Sequence, residues 1–273
     1  MNITMTFKTA LRKIFRSFHR IRAIWNRTRE LLSPRREFFR FSPVEFLASY
    51  IRYFRDYRGL QKLDENQTLG AVKWFPCLSD NTSHTPVDPI YFLQDTWAVR
   101  KIVELHPDRH VDIGSSVKTI GILSQLLPVT MVDIRPIDIE LPGLDFIEGS
   151  AENLPFEDSS IDSLSSLCVI EHIGLGRYGD RLDPFGHEKA IREFRRVLRP
   201  GGTIFFSVPV DRENRLYFNA HRAFTRARVL ELMSGFTLVE ERYQYRKELH
   251  NHYDPEKGFG TGLFQMSKQS DVH

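Results

Sequence analysis

Cysteine is nearly absent from this chain. Only Cys77 and Cys168 occur among 273 residues, far apart and in unlike contexts. That excludes a disulfide framework and a zinc cluster, and it suits a reducing cytosol. No run of 18 or more apolar residues occurs, so no segment reads as a membrane-spanning helix. The apolar core of a secretory signal is missing too. Acids are missing before Glu30, a stretch that holds Lys8, Arg12, Lys13, Arg16, Arg20, Arg22, Arg27 and Arg29. Residues 1–60 carry 14 Lys or Arg against 4 acids, a net of +10, whereas the whole chain carries +3. A basic head therefore precedes a mildly acidic body.

The head has a pattern as well as a charge. Phe7, Leu11, Ile14, Phe15, Phe18, Ile21 and Trp25 recur at steps of three and four, which predicts an amphipathic helix. Such a helix can pack its apolar face on the body. It can equally lie on an anionic membrane surface through residues 7–29, where each cation is worth roughly 1 kcal/mol. The same charge could grip RNA, although the acidic body makes nucleic acid the weaker partner. An Arg-rich, acid-poor transit peptide has this composition too. Residues 36–58 continue aromatic and basic and read as packed helices, not a base-stacking platform. Residues 76–89, with Pro76, Pro86 and Pro89, read as a loop. The expected organisation is a helical extension over 1–60, a linker over 61–94 and a single large domain over 95–273.

From residue 90 onward strands and helices alternate. A helix over 95–106 precedes a strand at 110–113. A helix at 117–126 and a strand at 129–132 follow, the latter ending at Asp133. Further strands are expected at 145–147, 163–168 and 203–208, with a helix at 187–198 before the last. This alternation predicts an α/β fold, a Rossmann-like doubly wound and mostly parallel sheet covered on both faces. In such sheets ligands bind at the carboxyl ends of the strands. Asp112, Asp133, Ser150 and Glu171 fall at those ends. The stretch Val111-Asp112-Ile113-Gly114 is strand, acid and tight turn. The glycine lets backbone approach a ligand, and Asp133 can accept bonds from a ribose diol.

Five segments in this order resemble the class I S-adenosylmethionine-dependent methyltransferases over residues 95–267. They are Val111-Asp112-Ile113-Gly114, Val132-Asp133, Ala151-Glu152-Asn153-Leu154-Pro155-Phe156, Glu171-His172-Ile173 and Arg196-Val197-Leu198-Arg199-Pro200-Gly201-Gly202. More narrowly, the run Glu171–Asp180 and Phe218-Asn219-Ala220-His221-Arg222 look like a bacterial methyltransferase-like family found with surface-polysaccharide genes. The resemblance implies S-adenosylmethionine as cofactor. Gly114 and Ser115 would lie under its methionine part, Asp133 would hold the ribose, and Ser150 and Ala151 would border the adenine, with Asp112, Ser116 and Ile134 as further cofactor contacts. Glu171 would complete the set. Two departures stand out. Ser115, Ser116 and Val117 occupy positions where the family carries further glycines, and Ser150 stands where an acid commonly reaches the adenine amine. Glu152 is the candidate substitute.

One motif misleads. Gly174-Leu175-Gly176-Arg177-Tyr178-Gly179 matches the dinucleotide fingerprint letter for letter, but no helix begins inside it. It reads instead as an irregular loop above the fourth strand, where an acceptor would meet the methyl donor. Arg177, Tyr178, Asp180, Asn219 and Arg222 are candidate acceptor contacts. His172 and His221 are candidate bases, because histidine titrates near neutrality. Asp180, Asp183 and His187 have a spacing that could hold a divalent cation, but such residues in a polar loop cap turns more readily, so no metal is expected. Cys168 reads as a buried strand residue. The expected function is O-methylation of a saccharide or sugar-linked, lipid-linked precursor, in the cytoplasm and peripheral to the inner membrane face. An RNA-binding protein or RNA methyltransferase, and a non-catalytic scaffold, are the alternatives.

Overall fold

The computed structural model describes residues 43–64 and 68–270. The helix expected over 7–29 lies outside them, and with it the membrane and RNA contacts. The chain divides into two compact units at Pro86 and Val87. In the first, helix α1 (Pro43–Leu63) carries Tyr53, Phe54 and Tyr57. Their rings surround Trp74 at centroid distances of 6.0, 5.7 and 4.7 Å. No helix among the described residues is long and apolar enough to cross a membrane.

The second unit is built on an eight-stranded sheet. Its elements are α2 (Pro89–Leu105), β1 (His110–Ile113), α3 (Val117–Leu123), β2 (Val129–Asp133), β3 (Leu144–Glu148) and β4 (Ile161–Leu167). Then come α4 (Gly186–Val197), β5 (Leu198–Val210), β6 (Arg215–Tyr217), β7 (His221–Ala223), α5 (Arg226–Leu232), β8 (Phe236–Tyr245), β9 (Glu248–His250) and β10 (Gly260–Lys268). Helix α2 starts at Pro89, earlier than the expected 95. Asp88 accepts a hydrogen bond from Ile90 N at 2.9 Å, and proline suits the first helical position. Apolar periodicity alone does not reveal that cap.

The sheet order is β3-β2-β1-β4-β5-β10-β8-β9, with β6 and β7 forming a separate ribbon. Strands β1 to β5 pair in parallel, while β10 runs antiparallel between β5 and β8. The alternation predicts only the parallel half; the charged, half-exposed β8 gives no strand signal. Strand β5 is longer than expected. It begins at Leu198, and residues 199–202 bulge from the ladder, whose register jumps from Leu198 to Thr203.

Alternate residues of the strands feed two cores. One holds Val111, Ile113, Phe206, α4 with Phe194 and α5 with Val229. The other holds Met131, Phe205, α2 with Trp97 and Ile102, and α3 with Ile120. Both faces are thus covered, which is why β1 is buried at all four positions. Between β1 and β4 the strand order reverses direction. That switch point opens a crevice at the strand ends.

Candidate active site

Beneath the crevice runs a buried polar chain. His110 is fully buried, with Nδ1 2.7 Å from Ser163 Oγ and Nε2 2.8 Å from Ser165 Oγ. Burial pushes its pKa down to about 3, so the ring is neutral. Ser165 gives its hydroxyl proton to Asp112 Oδ2. The Ser165 oxygen therefore accepts from His110 Nε2–H, and His110 Nδ1 accepts from Ser163. Asp112 also accepts from Ser115 N at 3.0 Å and Ser115 Oγ at 2.6 Å. Burial pushes Asp112 up to about 6 even against those donors. Asp112 thus holds the turn after β1 from below. It does not face the crevice.

The turn itself needs glycine. Gly114 has φ +68°, and a Cβ there would stand 3.1 Å from Val169 Cγ1 and 3.9 Å from Asp133 Oδ2. Above it lies a cavity of about 110 Å³ lined by Gly114, Asp133, Ile134, Ser150, Ala151 and Glu152, with Cys168, His172, Tyr178 and Asp180 opposite. Asp133 ends β2 and is one-tenth exposed; Arg135 donates to its Oδ1 from the backbone at 2.8 Å and from Nε at 3.4 Å. The guanidinium of Arg135 then lies 4.5 Å from the Tyr178 ring centroid, and Arg177 flanks the same ring at 5.0 Å. These cation–π contacts roof the cavity. Only the acid-then-cation spacing of Asp133 and Arg135 could have pointed to Arg135 in the sequence.

The loop after β4 is held by its own acid. Asp180 accepts from Gly174 N at 2.8 Å, Gly176 N at 3.2 Å and Tyr178 N at 3.2 Å. Partial burial opposes the charge, but these N–H groups outweigh it and hold the Asp180 pKa below its usual value. The amides of the misleading Gly-x-Gly-x-x-Gly run are thus engaged by a carboxylate from within the loop. Gly174, Gly176 and Gly179 all take positive φ, as such a nest requires.

Two ionisable groups face each other nearby. His172 donates from Nδ1 to the Ala220 carbonyl at 2.6 Å, because a carbonyl can only accept. Its Nε2 therefore carries the lone pair, 3.6 Å from Glu171 Oε1. Burial, then the charge of Arg177, pushes His172 down to about 4. Glu171 is buried, its Oε2 has no partner among the described residues, and burial pushes it up to about 8. Glu171 does not line the cavity but abuts His172, which does. Cys168, at φ +53°, donates to Gln94 Oε1 at 2.9 Å, and burial pushes its thiol well up. It is no nucleophile.

The remaining sequence candidates sit elsewhere. Ser115 is tied to Asp112, and Ser116 is the N-cap of α3. Asn219 is the exposed left-handed residue of the β6–β7 turn, at φ +61°. Arg222 spends its guanidinium on backbone carbonyls, with Ile173 O at 2.7 Å, so it anchors the loop and does not reach the cavity. His221 packs 6.3 Å from His172 and 5.5 Å from Phe259, with its Nε2 buried and unpartnered among the described residues. The ribbon that carries it supplies the Ala220 carbonyl that sets the His172 tautomer. Asp183 accepts from Phe185 N at 2.8 Å and pairs with Lys189. It caps a turn.

The same architecture occurs in a protein assigned as a sarcosine dimethylglycine methyltransferase from Galdieria sulphuraria. The match has TM-score 0.50 and 14% identity over 65% of this chain and 86% of that one. The fold is that of the class I methyltransferases. In sequence, residues 144–269 match the family described as Caenorhabditis protein of unknown function, DUF268. A ubiquinone/menaquinone biosynthesis C-methyltransferase UbiE from Hahella chejuensis is 33% identical over 118 residues, 41% of each chain. A phthiotriol/phenolphthiotriol dimycocerosates methyltransferase 1 from Mycobacterium ulcerans is 40% identical over 67 residues, 24% of this chain and 21% of that one. The chain thus spans less than half the length of the curated relatives it matches.

Proposed function

We propose that this protein is an S-adenosylmethionine-dependent methyltransferase acting on a hydroxyl group. The observation that carries the reading is the cradle at the switch point. Gly114 leaves room where a Cβ would press on Val169 and approach Asp133 Oδ2. Asp133, ending β2, presents acceptors suited to a ribose diol. Ile134 and Ala151 offer apolar surface to an adenine, with Ser150 and Glu152 for its polar edge. The residues present therefore fit the cofactor. At about 110 Å³ the cavity is below the ~300 Å³ usual for small-molecule pockets, so the Arg135–Tyr178 roof must part for entry.

When bound, S-adenosylmethionine supplies a methyl carbon already activated by a sulfonium. The protein's work is alignment and proton removal. His172 lines the cavity, and with its Nδ1 proton held by the Ala220 carbonyl its Nε2 lone pair accepts the acceptor's hydroxyl proton. The resulting imidazolium is costly in a buried site beside Arg177. An ionised Glu171 at 3.6 Å offsets that cost, so the base works as a pair. Activity should rise with pH toward about 8, as Glu171 ionises.

The saccharide or sugar-linked acceptor rests on the resemblance of Glu171–Asp180 and Phe218–Arg222 to a family found with polysaccharide genes. The basic head supports placement beside lipid-linked intermediates at a membrane surface. Calorimetric titration with S-adenosylhomocysteine tests the core of the reading. Saturable binding that Asp133→Ala weakens roughly 10- to 100-fold is expected, since hydrogen bonds to a charged group are worth about 1.5–3 kcal/mol. No heat and no thermal shift would end it.

A further inference from the structure

A second cavity, of about 530 Å³, opens on the other side of the 174–184 loop. It shares no lining residue with the crevice below Tyr178. Leu182, Leu216, Phe218 and Phe224 give it an apolar wall. Of its polar side chains, Asp183 pairs with Lys189, Arg215 with Glu213 and Arg228 with Glu188, and Asn214 accepts from Thr225 N, which leaves His187 and Arg222 without such partners. Exposed Leu216 and Phe218, at 57% and 75%, are unusual on a ribbon this small.

The polar pair is what makes this a built site. His187 is 7% exposed, and its Nδ1 is buried with no hydrogen-bond partner among the described residues. Its Nε2 lies 4.0 Å from Glu188, too far for a hydrogen bond. A buried ring nitrogen left unpaired is costly, and a bound donor or acceptor would offset that cost. Arg222 is 9% exposed and its guanidinium bonds to carbonyls, those of Glu171, Ile173, Asp183 and Pro184. Carbonyl oxygens satisfy its N–H groups but bring no full negative charge. The nearby acids are engaged elsewhere: Asp180 by three backbone N–H groups, Asp183 by Lys189 and Phe185 N. A nearly buried guanidinium with no carboxylate of the described residues in ion-pair contact, beside an unpaired imidazole and an apolar wall, calls for a particular ligand. A buried guanidinium balanced by carbonyl dipoles, with carboxylates near but out of ion-pair contact, gains from a directly bound anion.

We propose that this cavity binds an anionic amphiphile, a molecule joining one carboxylate or phosphate to an apolar chain or ring. The anion lies toward Arg222 and His187, and the apolar part covers Leu182, Leu216, Phe218 and Phe224. The site does not depend on the methyltransferase reading. The loop it contacts also carries Tyr178 and Asp180, so occupancy on one side stiffens a wall of the other.

Calorimetric titration of the full chain with dodecyl phosphate, below its micellar concentration, tests this. Dodecanol and inorganic phosphate serve as separate controls for tail and head. One-to-one binding is expected, at least tenfold tighter than either control. Leu216→Glu, on an exposed ribbon position where folding tolerates it, should weaken binding tenfold or more by placing an anion at the mouth. His187→Phe should weaken it with the apolar wall intact. Asp133→Ala should leave it unchanged. The proposal is overturned if dodecanol binds as well as the phosphate, or if inorganic phosphate alone binds as well. It is also overturned if Leu216→Glu binds like wild type, which would place the ligand elsewhere, for instance on the basic head. Absence of saturable binding overturns it outright.

Discussion

Glu171→Gln gives the sharpest test of the buried acid beside His172. Glu171 takes a pKa near its ordinary 4.5 in the unfolded chain and about 8 when folded. Between those values the folded protein holds a proton that the unfolded chain has released. Its contribution to stability is therefore fully present below about pH 4.5 and is lost as pH rises through about 8. The slope of that loss is about 1.4 kcal/mol per pH unit for one proton. Over the whole window it amounts to about 5 kcal/mol. Glutamine keeps the shape and removes the titration, while every other group is common to both proteins. Urea unfolding of wild type and variant at pH 5, 6, 7, 8 and 9 gives the comparison. The stability difference, wild type minus variant, should fall by about 1.4 kcal/mol at each step and then level off. Parallel curves would refute the reasoning, because they would mean that Glu171 is already ionised in the fold and needs no pH change to assist His172.

Other outcomes follow from single contacts. Gly114→Ala should cost about 1–2 kcal/mol, because φ +68° is a left-handed conformation that alanine resists, and S-adenosylhomocysteine affinity should drop as the added Cβ presses on Val169 Cγ1 at 3.1 Å and narrows the cavity floor. Thermal melts and titration read the two effects. Tyr178→Ala removes the aromatic ring between Arg135 and Arg177; stopped-flow mixing should show faster ligand association, and an unchanged rate would mean that the roof is no barrier. Asp180→Asn loses charge-assisted bonds to three backbone amides, so hydrogen exchange at Gly174, Gly176 and Tyr178 should accelerate about tenfold or more, matching at least ~1.4 kcal/mol.

Much of this architecture is legible in the sequence because parallel strands announce themselves. Strands β1 and β2 are short and largely apolar, with an acid at the last-but-one position of β1 and the last of β2, and each is followed by a turn, so the residue pattern alone places their carboxyl ends. Gly114 and Asp133 are legible for the same reason. The antiparallel strands are not. Strand β8 reads Phe-Thr-Leu-Val-Glu-Glu-Arg-Tyr-Gln-Tyr and is buried fully only at its ends, so its pattern is neither alternating nor continuous. Side-chain direction is illegible as well. Asp112 stands one residue from the crevice wall, yet the two-residue period of β1 turns it down onto Ser165. Arg222 has the chemistry of an anion hook, but it ties the loop from the side away from the crevice, so it does not reach the acceptor position expected of it. Arg135 has only its spacing from Asp133 as a signal, because its other contact is with Tyr178, 43 residues away in sequence.

The sheet order has a consequence for how this chain comes off the ribosome. Strand β10 is the last of the described strands to be made, yet it lies inside the sheet, between β5 and β8. Until residues 260–268 emerge, β5 presents an eight-residue edge, Thr203 to Val210, with unpaired amides and carbonyls, and β8 has no route into the sheet. The nascent protein therefore carries an open, sticky edge through the synthesis of some fifty residues. Closure is a late, long-range event in which a single strand joins two others at once, so a truncation within β10 should expose the edge of β5 and yield aggregation instead of a smaller folded domain.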